Sequence, residues 1–238
     1  MSQSGRGDLQ TQAPGYEAIQ SLNAYIAKVY LWMCMGLGLT ALTAFVFASN
    51  TNWVIGFITN PILFYGSLIG EFVLVIAISR AVMRLSFPAA AGLFGLYAVL
   101  NGLTLSVILL AYTGTSVFTT FVITAAMFGV MSVYGRLTRT DLTQFRGILT
   151  LGLIGVVVLS LVNLFLRSDA VGWIISLVGM FVFLGLTAYD MQKLKAYYYG
   201  SQGDTLLANR LGLLGALSLY LDFINLFLML LRLFGRRK

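Results

Sequence analysis

Three carboxylates lie inside stretches of this 238-residue chain that otherwise consist of lipid-soluble residues: Glu71, Asp190 and Asp222. A charged side chain at the centre of a membrane helix costs about 2.5–3.5 kcal/mol on insertion scales. Membrane proteins therefore keep such residues where they face protein, water or one another. We expect these three acids to mark the functional site.

The last two apolar runs carry two of these acids. Asp190 ends the sixth run, and Asp222 lies near the middle of the seventh. Ser218, Asp222 and Asn225 are spaced i, i+4 and i+7, so they share one face of a helix that is otherwise apolar. A polar stripe on such a helix must face the protein interior, which predicts that the last helix is central in the bundle.

Two carboxylates that face each other in a site without water cannot easily both be ionised. At about 3 Å and an effective dielectric near 20, the repulsion is on the order of 5 kcal/mol. We therefore expect Asp190 and Asp222 to share a proton and to titrate as a unit. Proton loss would push the helices apart or admit a cation, and calcium suits carboxylates and the Asn225 amide oxygen. The simpler alternative is that each carboxylate only bonds backbone groups or reaches towards the interface.

Glu71 lies on the second apolar run, and it shares a helix face with Ser67. Arg80 and Arg84 follow it by nine and thirteen residues, at the end of the same run. Glu71 is expected either to line a water-filled cavity or to form an ion pair with an arginine of another helix.

The composition predicts an all-α polytopic membrane protein, since 59% of the residues are hydrophobic and only 10% are charged. Seven runs are long enough to cross the hydrocarbon layer, which takes about 20 residues, and they must be helices because the bilayer offers backbone groups no water. We expect residues 1–27 to form a disordered cytoplasmic tail and residues 28–238 a single seven-helix domain. The predicted runs are 29–49, 62–83, 88–111, 116–135, 147–166, 171–192 and 211–234.

Several classes of chemistry are excluded by the residue types. The chain has no histidine and a single cysteine, so it cannot contain Ser–His or Cys–His pairs or the usual zinc sites. Tyr189 and Asp190 are similar to the Tyr-Asp pair of intramembrane aspartyl proteases, but the Gly-x-Gly and Pro-Ala-Leu motifs of that class are missing. We therefore predict no enzymatic activity and no cofactor.

The basic residues lie almost entirely between apolar runs, so they indicate membrane topology rather than nucleic-acid binding. One side receives only Arg167 before the C-terminal tail, which predicts that the N-terminus is cytoplasmic in a multi-pass protein of the cell membrane. The four tail cations leave two alternatives, a full final span or a re-entrant last helix that returns to the cytoplasm. The side predicted to be cytoplasmic carries Arg6, Lys28, Arg80, Arg84, Arg136, Arg139, Arg146, Lys193, Lys195 and Arg210.

Residues 95–106, 186–193 and 215–227 carry a resemblance to a known family. Their sequences, GLYAVLNGLTLS, LTAYDMQK and GALSLYLDFINLF, resemble the Bax inhibitor-1 family, and the short polar tail resembles its bacterial members. The resemblance implies a seven-helix bundle with a central last helix and an aspartyl dyad at Asp190 and Asp222. It also implies that Glu71 matches a family acid of the second helix, and that Arg80 or Arg84 matches a gating arginine.

Two functions follow from this resemblance. Family members are described as pH-sensitive calcium leak channels, which implies calcium as a permeant ion that Asp190 and Asp222 bind transiently. Some bacterial relatives instead bind and restrain a membrane AAA protease, which implies a regulatory interaction protein with the lipid bilayer and that protease as partners. Both functions remain open at this point. The resemblance to bacterial members implies the cell membrane as the location, which is the inner membrane if the organism is Gram-negative.

Overall fold

The structure is a computed structural model that describes residues 7–201 and 204–238, with side chains from residue 20 onwards. Within these residues the chain is helical and contains no strand, which confirms the all-α fold class. Seven of the helices are long and apolar enough to cross a membrane, as predicted. The helices are α1 Gly7–Ala48, α2 Thr51–Thr59, α3 Pro61–Ala81, α4 Phe87–Ala111, α5 Gly114–Leu137, α6 Arg146–Leu166, α7 Asp169–Gly200 and α8 Thr205–Phe234, with a 3-10 turn at Leu142–Phe145.

Side-chain caps fix where several of these helices begin. Asn60 precedes α3 and accepts hydrogen bonds from the backbone amides of Ile62 and Leu63, with Pro61 in the first turn. Asp204 caps α8 through the amides of Leu206 and Leu207. Such caps satisfy amide donors that have no partner within the helix, so these polar residues at the membrane boundary have a structural role.

The predicted disordered tail at 1–27 requires correction. Residues 1–6 lie outside the described part of the chain, but the backbone is helical from Gly7, and α1 continues without a break into the first span. Leu22, Tyr25 and Ile26 belong to the buried core. The polar composition concealed this extension, because the apolar residues that it buries are separated by polar ones on the other face of the helix.

Two predicted loops are also largely helical. The segment expected to connect the first two spans contains α2, which begins beside the capping residue Asn50. The long loop expected at 193–210 is instead the end of α7 and the start of α8, so the two helices are joined by a short turn after Gly200. Both helices therefore extend past the apolar stretches from which their boundaries were predicted.

The last helix, α8, is the most buried of the seven candidate spans. In its most apolar 18-residue window 67% of the residues are buried, against 11% in α3 and 6% in α6. α8 packs against α1, α4, α5 and α7. α3 instead packs mainly on α4, and α6 packs mainly on α7, so these two helices form the periphery of the bundle.

α8 crosses the whole bundle rather than turning back. Near its start, the Arg210 guanidinium donates a hydrogen bond to the Met83 carbonyl, just beyond α3, at 2.9 Å. Beyond its end, the backbone amide of Thr113 donates to the Arg236 carbonyl at 3.0 Å, in the turn between α4 and α5. These two turns lie at opposite ends of α4, so the last helix is a full-length span and not a re-entrant one.

Candidate functional site

The contacts between α7 and α8 fix an antiparallel register. Gly215 of α8 lies against the Leu194 side chain, and Met229 lies against Gly179 near the other end of α7. Small residues allow this close helix approach. In this register position 190 stands opposite position 218, so the carboxylate of the sixth apolar run meets the polar stripe of the seventh.

Asp190 lies at the edge of this contact. Its carboxylate interacts with the Ser218 hydroxyl across the helix interface. It also forms an ion pair with Lys193, one turn later on α7, at 3.6 Å. The Asp190 side chain is 15% exposed and the Lys193 side chain 36% exposed, so this pair forms the partly open rim of the site.

Asp222 lies about one helical turn, or 6 Å, deeper than Ser218 along α8. Its side chain is 5% exposed. The oxygen Oδ2 is fully buried and has no hydrogen-bond partner among the described residues. Asp222 is near enough to Asp190 and Lys193 to interact with both charges. The two carboxylates therefore lie within electrostatic range of each other, and the deeper one lacks a hydrogen-bond partner for one oxygen.

The α5 backbone supports this site from the other side of α7. Gly135 of α5 lies directly against the backbone carbonyl of Ala188, so closely that no side-chain carbon fits between the two helices. Ala188 precedes Asp190 by two residues. The glycine thus permits the approach that presses the Asp190 segment of α7 between α5 and α8.

Glu71 lies in a separate polar cluster and has side-chain partners for both oxygens. The Thr104 hydroxyl donates to Oε1 at 2.8 Å, and Asn101 Nδ2 donates to Oε2 at 3.2 Å. The Tyr220 hydroxyl donates to Asn101 Oδ1 at 3.0 Å, and its oxygen lies 2.7 Å from the Thr40 hydroxyl. This cluster joins α1, α3, α4 and α8, and it includes no arginine.

Arg80 and Arg84, at the end of α3 and just beyond it, lie apart from the carboxylate pair. Both residues are exposed, and neither guanidinium group forms a hydrogen bond or an ion pair within the described part of the chain. Asn225 donates its amide to the Leu221 carbonyl of its own helix at 2.8 Å. The supporting roles of Arg80, Arg84 and Asn225 therefore stay predictions.

Sequence reasoning missed Lys193 as a partner of the site. The signal was available, since Lys193 follows Asp190 by three residues and so lies on the same helix face. It also missed Thr104 and Tyr220 as parts of the Glu71 cluster. These pairings depend on helix packing that no single segment of sequence specifies.

The site offers few groups that could hold a resident metal. Among residues 20–201 and 204–238, whose side chains the structure describes, no three acidic or cysteine side chains converge as a metal-binding group. Asp190, Asp222 and the Ser218 hydroxyl supply oxygen atoms of the kind that calcium prefers. The arrangement can exchange protons and attract a cation, but it offers too few ligands to enclose one.

Comparison with known proteins gives the family. A family described as "Inhibitor of apoptosis-promoting Bax1" matches residues 22–238. The chain belongs to the Bax inhibitor-1 family. It is 48% identical to the inner membrane protein YbhL of Escherichia coli K12 over 220 residues, covering 91% of this chain and 93% of YbhL. A protein of Borreliella burgdorferi is 43% identical over 216 residues, with coverage of 91% and 93%.

Membership of the Bax inhibitor-1 family confirms the resemblance predicted from the three motifs. The match spans all seven candidate membrane helices, including α7 and α8 with both aspartates. A further relative, the "Uncharacterized membrane protein SpyM3_0260" of Streptococcus pyogenes serotype M3, is 42% identical over 217 residues, with coverage of 90% and 93%. Similarity of this extent and the seven apolar helices identify a multi-pass membrane protein.

Proposed function

We propose that this protein is a pH-sensitive calcium leak channel in which Asp190 and Asp222 sense protons. The observation that supports the proposal is the register of α7 and α8. It brings Asp190 to Ser218 and leaves a buried Asp222 oxygen without a partner at the same helix interface. A buried carboxylate without a partner is costly, and such groups are retained in membrane helices mainly where they have a function.

Proton exchange at this pair supplies the switch. With one proton between them, the two carboxyl groups are held close without strong repulsion. Loss of that proton leaves two like charges, and Lys193 at the rim can balance only one of them. The remaining repulsion favours separation of α7 and α8 or the entry of a cation. Calcium flux is therefore expected to rise as the pH rises.

The Glu71 cluster anchors the same helix near the switch. Tyr220 precedes Asp222 by two residues, and its hydroxyl is tied through Asn101 to Glu71. We propose that this connection holds one side of α8 in place while the α7 side responds to protons. Glu71 adds negative potential near the path of the ion.

The proposed location is the bacterial inner membrane, with the N-terminus in the cytoplasm. The Escherichia coli relative YbhL is named as an inner membrane protein. The excess of Lys and Arg in the loops on the N-terminal side follows the positive-inside rule.

Calcium flux from liposomes that contain the purified full chain tests the proposal. An entrapped calcium indicator reports the rate at a series of external pH values. The unmodified chain should show a rate that rises several-fold from acidic to alkaline pH. Asp222→Asn and Asp190→Asn should each abolish this dependence. Asp141→Asn is the matched control, because Asp141 is an exposed loop residue whose change should leave the pH profile unaltered.

Persistence of the full pH profile in both Asp190→Asn and Asp222→Asn would overturn the proposal. Absence of calcium flux from a folded chain would also overturn it. In that case, co-purification with a membrane AAA protease would favour the alternative of a regulatory interaction protein.

A further inference from the structure

An apolar cleft of about 740 Å³ lies between helices at the end of the bundle where α8 ends. This volume falls within the roughly 300–1,000 Å³ typical of ligand sites. Its lining comes from α1, α4, α5 and α8, and it includes Phe45 and Phe118, whose side chains are exposed on the bundle surface. The cleft therefore opens sideways towards the lipid.

The cleft is concave because one of its walls carries small side chains. Ala41, Ala44 and Ala48 of α1 line it, at spacings that place them on neighbouring turns of one helix face. Along α1 the lining runs from Leu37 to Ser49, about 18 Å at the helical rise per residue. This length is enough to cover the half-thickness of the hydrocarbon layer, about 15 Å, which is the depth occupied by an acyl chain of one leaflet.

Cations lie at the outer end of this cleft. Lys238 is part of the lining, and its Nζ donates to the Leu109 carbonyl at 3.5 Å. The segment that carries it is fixed in place, because the backbone amides of Arg236 and Lys238 donate to Ser116 Oγ and to the Ala111 carbonyl. Arg237 also belongs to this segment, and Asp169 is the acidic side chain near it.

We propose that this cleft binds an anionic phospholipid. One acyl chain lies along the alanine face of α1, and the phosphate is bound by Lys238 and Arg236. The apolar lining matches the chain, and the exposed cations match the charge of the headgroup, each contributing about 1 kcal/mol near a membrane surface. The site is distinct from the Asp190–Asp222 pair, and the proposal does not depend on ion conduction.

Native mass spectrometry of the purified full chain, released from micelles that contain phosphatidylglycerol or phosphatidylcholine, tests this site. We expect one phosphatidylglycerol to be retained in preference to phosphatidylcholine. Lys238→Gln and Arg236→Gln should each weaken retention about fivefold, the factor that corresponds to about 1 kcal/mol. Ala41→Leu, which narrows the cleft, should weaken it at least as much.

Two matched variants control for general effects of charge and bulk. Arg146→Gln removes an exposed cation at the other end of the bundle, and Ala125→Leu adds the same bulk to an exposed position of α5 outside the cleft. Both should retain the lipid, and thermal unfolding should show that all variants are folded. Equal retention of the two lipids, unchanged retention in Ala41→Leu, or displacement by free glycerol phosphate would each overturn the proposal.

Discussion

The carboxylates of the two acidic sites in this bundle differ in their hydrogen bonding. Glu71 has a side-chain donor for each oxygen, and those donors belong to a polar cluster that joins four helices. Asp222 is more deeply enclosed, yet one of its oxygens has no partner in the described part of the chain. In the first site, hydrogen bonds from the packed helices satisfy both carboxylate oxygens. In the second, we propose that a proton or a cation supplies the missing partner.

In the proposed function, this difference separates a structural acid, Glu71, from an acid that responds to protons, Asp222. A fully bonded polar cluster makes its packing arrangement specific, since moving any one helix breaks several hydrogen bonds. An incompletely bonded carboxylate next to a second carboxylate stores repulsion that depends on protonation. Both sites are attached to α8, through Tyr220 and Asp222, so one helix connects the rigid cluster with the responsive pair.

Gly135→Ala should cause the largest loss of stability of the substitutions predicted here. It should disturb the Asp190–Asp222 pair and leave the Glu71 cluster unchanged. The added carbon would meet the Ala188 backbone, which cannot move aside as a side chain can. We expect a cost of about 3 kcal/mol, at the upper end of overpacking effects, with loss of the pH response and an intact Glu71 cluster. Unfolding in detergent, followed by circular dichroism, measures the cost.

Gly129→Ala is the matched control on the same helix. No atom lies within 4 Å of the carbon that this change adds, so the better helix propensity of alanine should stabilise the protein by up to about 1 kcal/mol. Equal effects of the two glycine substitutions would show that the α5–α7 approach does not constrain the Asp190 segment.

Glu71→Ala and Asp222→Ala should have different effects on stability. Loss of Glu71 leaves the buried Asn101 Nδ2 donor without its acceptor, at a cost of about 1–3 kcal/mol. The Thr104 hydroxyl keeps a partner, because it also donates to the Asn101 carbonyl at 3.0 Å. Loss of Asp222 removes an oxygen that has no protein partner, so Asp222→Ala should cost less. The measurement is unfolding of both variants under the same conditions.

Glu71→Gln tests whether lost hydrogen bonds cause the instability of Glu71→Ala. The glutamine oxygen can still accept from Asn101, and its amide can donate to the Thr104 oxygen, so most of the lost stability should return. A larger cost for Asp222→Ala than for Glu71→Ala would contradict the distinction between a satisfied and an unsatisfied carboxylate.

The smallest expected effect concerns Asp141, which lies outside both sites. Thr143 holds the pKa of the Asp141 carboxyl below its usual range, through hydrogen bonds from its side chain and from its backbone amide, the latter at 2.9 Å. A lowered pKa in the folded state stabilises the fold above the pKa of the unfolded chain, and this contribution is lost as the pH falls through the folded value. Asp141→Asn should therefore remove a slight acid sensitivity of unfolding. If Asp141→Asn and the unmodified chain lose stability equally as the pH falls, the lowered pKa of Asp141 does not contribute to stability.

The sequence alone determined the class of the protein, its seven candidate spans and the positions of three carboxylates within them, because hydrophobic length and helical spacing are local properties. It placed Ser218 and Asp222 on one face of α8, as observed. Only the tertiary structure decided the pairing of Asp190 with Lys193 and Ser218, the partners of Glu71, and the separation of Arg80 and Arg84 from the carboxylate pair. The physical reason is that the register between helices depends on close contacts such as Gly215 against Leu194, which join residues far apart in the chain.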